Sequence, residues 1–198
     1  MIVYYSGMRT KDKNKMTAIR QATLRLAREQ GIQNLSMAKI AKQAHVSPAT
    51  LYIYYPDQKA MFSQIYLEVK DIIDGDLYHE VDRQAPVRVQ FEALMLNYAH
   101  TTLSHPDETN FMQAVQQNPS LVSEAAFQKG QQRGAYLEAL YQRGVAEQLL
   151  QALPLPIVVA HTFQPLAYLV QTATQTQTAL PDKWLKQSIQ MSWNALRV

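Results

Sequence analysis

The sequence predicts an all-α protein of about nine helices, with a three-helix head joined by a linker helix to a larger helical body. Three observations carry that expectation. Apolar residues recur at helical period in one segment after another, and no segment shows the alternation of a strand. Ser, Pro, Asn and Gly stand where helices must start or stop. Charge also divides the chain: ten Lys or Arg against three acids give residues 1–59 a charge of +7, leaving −4 for the rest of a chain whose net charge is +3. A basic head on a mildly acidic body is either a surface for a polyanion or a solvated basic face.

In order, Met16, Ile19, Thr23, Leu26 and Ala27 form one stripe between Lys15 and Gln30, and Gly31 is placed to end that helix. Ser36 stands as N-cap to a short helix carrying Met37, Ile40, Ala41 and Ala44. His45, Val46 and Ser47 interrupt it, and Ser47-Pro48 opens a third helix that runs to about Tyr54, because Pro56 disfavours helical geometry at Tyr55. Two short helices joined by a three-residue turn make a helix-turn-helix.

A helix that enters the major groove by its N-terminal end needs residues small enough to let the backbone approach, or polar enough to reach base edges. Pro48, Ala49 and Thr50 meet that need; Leu51 points to the core, and Tyr52 and Tyr54 offer hydroxyls to phosphate or bases. Tyr55, beside Met61 and Phe62, is read as core.

The run Gly31 to Lys59, GIQNLSMAKIAKQAHVSPATLYIYYPDQK, resembles the DNA-binding head of the TetR family of bacterial repressors through Gly31, Ser36, Ile40-Ala41, Ala44, Val46-Ser47, Leu51-Tyr52 and Tyr55. With the preceding helix the resemblance covers about sixty residues. It implies that Ser36 caps its helix near a phosphate, that Lys39 and Lys42 lie near the DNA backbone, and that Ser47 to Thr50, Tyr52 and Tyr54 face an operator. Three positions depart from the family pattern. His45 replaces the usual turn glycine and so must tolerate a left-handed or strained backbone. Tyr55 replaces Phe. Gln58 stands where the family has Lys, so either Lys59 makes the phosphate contact or Gln58 donates a weaker, uncharged bond.

The expected domains are 1–58, the DNA-binding head, and 59–198, a ligand-binding and dimerisation body. The linker helix runs from Asp57 to about Leu77 with Met61, Ile65, Val69 and Ile72 inward, and the only further break is expected near Gly75. Pro86 opens a helix ending near His105-Pro106, and Asp107 to Gln117 is a short one. Ser120 to Arg143 is helical, with Gly130 and Gly134 placed to split or bend it and Gly144 to stop it. Leu155 to Thr176 and Pro181 to Leu196 read as a closing helical hairpin.

In the resemblance these last two helices form a four-helix bundle with a second copy, and the stripe Leu185, Ile189, Ser192, Leu196, with small Ser188, is compatible with that interface. Trp184 and Trp193 are either interface anchors or core. A homodimer would set two recognition helices about 34–36 Å apart to read a palindromic operator in double-stranded DNA. Candidate pocket residues for an unidentified small-molecule inducer are Met95, Tyr98, Phe111, Met112 and Phe127. With them stand Tyr136, Tyr141, His161, Phe163 and Tyr168; helical spacing makes each of these compatible with plain core as well. Pro165 lies one turn beyond His161 and would free a carbonyl there.

Other classes fit less well. The five histidines show no metal-ligand spacing, and no phosphate loop or nucleophile motif is present, so neither enzyme, metal site nor cofactor is expected. A helical dimeric interaction protein without sequence-specific DNA binding is the alternative. The chain has no cysteine, which excludes disulfide scaffolds and fits a cytoplasmic setting. No segment suits a membrane span, Met1–Gly7 does not read as a signal peptide, and Met8 is an alternative start. Repression by promoter occlusion is the mode the resemblance implies, with activation the other possibility.

Overall fold

A computed structural model describes residues 12–198; the readings made on Met1–Met8, and the charges of Arg9 and Lys11, lie outside them. Asp12 opens helix α1 (Lys13–Gln30), its carboxylate accepting from the Asn14 N–H at 3.0 Å. Ile19, Ala22, Thr23 and Leu26 form its buried face, and Gly31, at φ 80°, closes it by donating to the Ala27 carbonyl. After a 3₁₀ turn at Ile32–Asn34 come α2 (Met37–Gln43) and α3 (Pro48–Tyr54), the expected helix-turn-helix. The Ser36 hydroxyl accepts from the Lys39 N–H at 3.3 Å and the Ser47 hydroxyl from the Thr50 N–H at 3.0 Å. His45 sits in the turn at φ 55°, the left-handed conformation foreseen for the residue that replaces glycine.

Helix α4 (Gln58–Leu77), capped by Asp57, passes Gly75 unbroken. The break expected there is absent because one interior glycine costs a helix only about 1 kcal/mol, and Ile73 and Leu77 on either side of it are buried. The body follows as α5 (Val87–Ser104), α6 (Pro106–Gln117), a 3₁₀ turn at Pro119–Leu121, α7 (Glu124–Gln132), α8 (Ala135–Ala146), α9 (Leu155–Thr176) and α10 (Asp182–Leu196). The segment from Ser120 to Arg143 is split at Gly134, one of the two glycines placed to split or bend it, and its α-helix starts only at Glu124; the described residues hold ten α-helices. Gly144 does not stop α8. It is buried inside the helix, where a Cβ would come within 2.6 Å of the Leu150 side chain as the chain folds back. Among the described residues β-type pairing is limited to one isolated bridge, Leu150 to Arg197, which ties the C-terminus to the loop after α8.

Apolar side chains gather into two clusters. One joins Ile19, Leu24, Ile40 and Leu51 of the head to Phe62 of α4 and Phe111 of α6. The other unites α5, α8, α9 and α10 around Leu94, Leu140, Leu166 and Leu185. The head's core therefore runs on past residue 58. Helix α6 packs on both α1 and α4, Phe62 and Phe111 meet edge to face at 5.7 Å, and an Arg28–Asp107 ion pair at 2.8 Å links α1 to α6.

Candidate functional site

Each residue of a helix turns the next by about 100°. On α3 this sets Leu51 and Tyr54 on one side, and both are buried, as is Tyr55 just past the helix end. The opposite side carries Pro48, Ala49, Tyr52 and Ile53, all exposed. Tyr52 is 55% exposed and Ile53 64%, against 9% for Tyr54. Tyr54 is therefore not an outward contact: its ring belongs to the head's core, and its hydroxyl accepts from the Asp12 N–H at 3.3 Å. Ile53, which the sequence reading passed over, stands beside Tyr52 on the exposed face. The same 100° arithmetic, applied from Leu51, would have separated the two tyrosines and found it.

Around this face, Ser47 and Thr50 bond each other at 2.8 Å through their hydroxyls. Lys42 and Lys59 are exposed, and Lys39 donates through Nζ to the Asn34 carbonyl at 2.8 Å. Gln58 is half-buried and donates through Nε2 to the Leu35 carbonyl at 3.1 Å, so its amide ties the start of α4 to the loop before α2. Burial pushes the phenol of Tyr55 up to about 12, with the Glu68 carboxylate adding to the effect.

The body holds a cavity of about 1330 Å³ bordered by α4, α5, α6, α8 and α9. Of the expected pocket residues, Met95, Tyr98, Met112, Phe163 and Tyr168 border it, as does Tyr141, and Tyr98 and Phe163 meet edge to face at 4.9 Å. Four do not. Phe111 is wholly buried against Phe62, and Phe127 stacks on Tyr66. Tyr136 packs edge-on against Tyr78 and donates to Gln90. His161 is exposed, its Nδ1 3.0 Å from the Ile157 carbonyl. The sequence reading missed the face of α4 that borders the cavity, Lys70, Ile73, Asp74, Leu77 and Tyr78. That face shows the i, i+3, i+4, i+7, i+8 spacing of a helix stripe, but it mixes charge with apolar residues and so does not stand out as pocket or core.

On α10 the expected interface stripe turns inward. Leu185, Ile189, Ser192 and Leu196 are buried in the chain's own core, with Ser188 half-buried, because the apolar stripe of an amphipathic helix first serves the fold it belongs to. Trp193 joins that core, 5.4 Å from Phe91, whereas Trp184 and Met191 are exposed at 55% and 71%. On α9, Ile157 and Tyr168 are exposed as well. Among the described residues no helix is long and apolar enough to cross a membrane.

The family model described as "Bacterial regulatory proteins, tetR family" matches residues 19–65, and the one described as "Tetracyclin repressor-like, C-terminal domain" matches residues 86–197. An uncharacterized HTH-type transcriptional regulator of Haemophilus influenzae is 28% identical over 85 residues, which is 43% of this chain and 46% of that protein. The matched stretch thus spans about half the length of that curated relative. A TetR family transcription regulator from Marinobacter aquaeolei VT8 shares the fold with a TM-score of 0.84 at 25% identity, over 96% of this chain and 99% of its own. A TetR family protein from Vibrio parahaemolyticus does so with a TM-score of 0.76 at 22% identity, over 93% and 99%. The second family model alone spans more than half of the chain and the first covers its helix-turn-helix, so this DNA-binding transcriptional regulator belongs to the TetR family.

Proposed function

We propose that the protein is a cytoplasmic repressor that binds a palindromic operator as a homodimer and leaves it when a small, largely apolar molecule enters the body. One observation carries this reading: α4 belongs to both halves. Its first turns lie in the head's core through Met61, Phe62 and Ile65, and its last turns border the cavity through Ile73, Asp74 and Leu77. A ligand that shifts the end of α4 therefore moves the head without any loop to absorb the motion. Linkage then requires the ligand to favour the state that does not bind DNA, and a coupling of about 1–3 kcal/mol would lower operator affinity roughly 5- to 150-fold.

On the DNA side, Ser47, Pro48, Ala49 and Thr50 open the recognition helix, and Tyr52 supplies a hydroxyl. Lys42 and Lys59 supply backbone charge, Lys39 and Ser36 lie at the flank, and Gln58 braces the head rather than a phosphate. Ile53 presents an apolar surface of the kind that reads a thymine methyl. The dimer face is assigned to the outward residues of α9 and α10, Ile157, Tyr168, Trp184 and Met191, whose apolar surface is exposed. The test is footprinting on the DNA flanking the protein's own gene, followed by gel-shift titration across salt. A protected palindrome and a steep salt dependence are expected. Equal binding to all sequences, or none at low salt, would leave a helical interaction protein instead.

A further inference from the structure

We propose that the cavity takes a neutral, largely apolar molecule carrying a hydrogen-bond donor, received by the carboxylate of Asp74 and the hydroxyl of Thr109. This rests on the ligand-responsive reading above and gives the ligand a chemical class. Asp74 and Thr109 both border the cavity and are 9% and 4% exposed. Asp74 Oδ1 accepts from Lys70 Nζ at 2.8 Å, but Asp74 Oδ2 and Thr109 Oγ1 have no hydrogen-bond partner among the described residues. Thr109 departs from its neighbours in this. The bordering threonines Thr102, Thr162 and Thr174 each donate to the carbonyl four residues back, at 2.8 to 2.9 Å. Two of the bordering tyrosines are engaged as well, Tyr78 with the Arg133 carbonyl at 3.2 Å and Tyr141 with the Gln151 carbonyl at 2.8 Å. A buried polar atom left unmatched is costly, so these two oxygens mark where a bound molecule gains most from a polar group.

Charge decides the rest. An ionised oxygen at Asp74 accepts only, so the ligand must donate to it. The negative charge of Asp74 is already met by Lys70, and Arg28, the other cation that borders the cavity, is paired with Asp107 at 2.8 Å. A ligand ammonium would add an uncompensated charge to a neutral pair. A ligand carboxylate would meet Asp74 with no unpaired cation nearby. The other bordering residues are mostly apolar side chains such as Phe91, Leu94 and Val158 and neutral amides such as Gln113, Gln128 and Gln171, with one further carboxylate, Glu138, whose side chain is solvent-exposed. An alcohol or a primary amide on a hydrocarbon body meets every one of these conditions.

The test uses the full chain and four probes of one chain length, 1-decanol, its methyl ether, decanoate and decylammonium, titrated by calorimetry. The alcohol is expected to bind about tenfold more tightly than the ether, in which a methyl group replaces the donor hydrogen, as one net hydrogen bond requires. The two ions should be weaker than the alcohol by at least as much. Thr109→Val and the paired change Lys70→Met with Asp74→Leu should each reduce the preference for alcohol over ether, the pair removing both charges so that neither is stranded. Equal affinity for alcohol and ether in the unaltered protein, tighter binding of either ion, or no binding of any probe up to its solubility limit would overturn the proposal. Operator release is read separately by gel shift. Alcohol-selective binding without release refutes the induction mechanism and leaves the ligand class standing, while release by an ion refutes the class and leaves induction standing.

Discussion

Tyr52 and Tyr54 are chemically identical and two positions apart, yet α3 sends them to opposite environments. Tyr52→Ala is expected to weaken operator binding by about 1–3 kcal/mol while leaving the melting temperature nearly unchanged. Tyr54→Ala should do the reverse: removing a buried aromatic from the head's core costs about 3–5 kcal/mol of stability, and thermal unfolding will show it. Equal effects of the two variants on both measurements would undo the assignment of the exposed face. His45 offers a second check. Its left-handed backbone at φ 55° costs a residue with a Cβ about 1–2 kcal/mol, partly offset on substitution by the extra unfolded-state entropy of glycine. His45→Gly should therefore raise stability by up to about 1 kcal/mol, measured by denaturant midpoint, and a loss would mean that the imidazole makes a compensating contact. The caps Ser36 and Ser47 and the strained turn were legible in the sequence because they depend on neighbours within four residues. Tyr54 was not, because its hydroxyl suggests an outward polar contact whereas its position in the helical period sets its ring in the core.

Among elements, helices were legible and their partners were not. The bounds of α3 and α9 lie where caps and prolines put them, since termination is local chemistry. The inward stripe of α10 was equally visible, but periodicity shows only that a face is apolar. What covers it depends on long-range packing, here of α5 and α9. The same gap explains the pocket residues. Phe111 and Phe127 carry the composition of a cavity wall, but neighbouring aromatics from α4 already fill the space around them. The outward face of α10 now supports a prediction. Met191→Glu places a charge on a face whose apolar residues are proposed to meet a second copy, without touching the core stripe. Analytical ultracentrifugation should show a shift toward monomer with the helical content unchanged. A dimer of undiminished affinity would move the interface elsewhere.

At the scale of the whole molecule, two phenols that flank α4, Tyr55 before it and Tyr78 at its C-terminal end, make stability fall with alkali. Burial is the main cause in both cases and raises Tyr55 and Tyr78 to about 12, with Asp74 adding to the effect at Tyr78; the unfolded value is about 10. Below pH 10 both states keep these protons, and the full contribution is present. Between about pH 10 and 12 the unfolded chain releases protons that the folded chain retains, so stability declines until the folded groups ionise too. Denaturant titrations at about pH 9 and pH 11 should show that loss in the parent protein and a smaller one in Tyr55→Phe.

The continuity of the head's core into α6 bears on how such regulators can be recombined. Residues 1–58 hold the whole helix-turn-helix, yet Ile19, Leu24 and Leu51 share their apolar environment with Phe62, Phe111 and Val115, which lie beyond that stretch. Excised alone, this segment would expose the side of α1 that meets α6 and strand Arg28 from Asp107. Circular dichroism of the isolated segment should show little cooperative unfolding. Grafted onto a foreign body, it would keep its operator preference only if the graft also brought α4 and the α6 surface that closes it. The reading head is thus an interchangeable part in what it recognises but not in how it folds, and its natural unit of exchange is discontinuous in the chain.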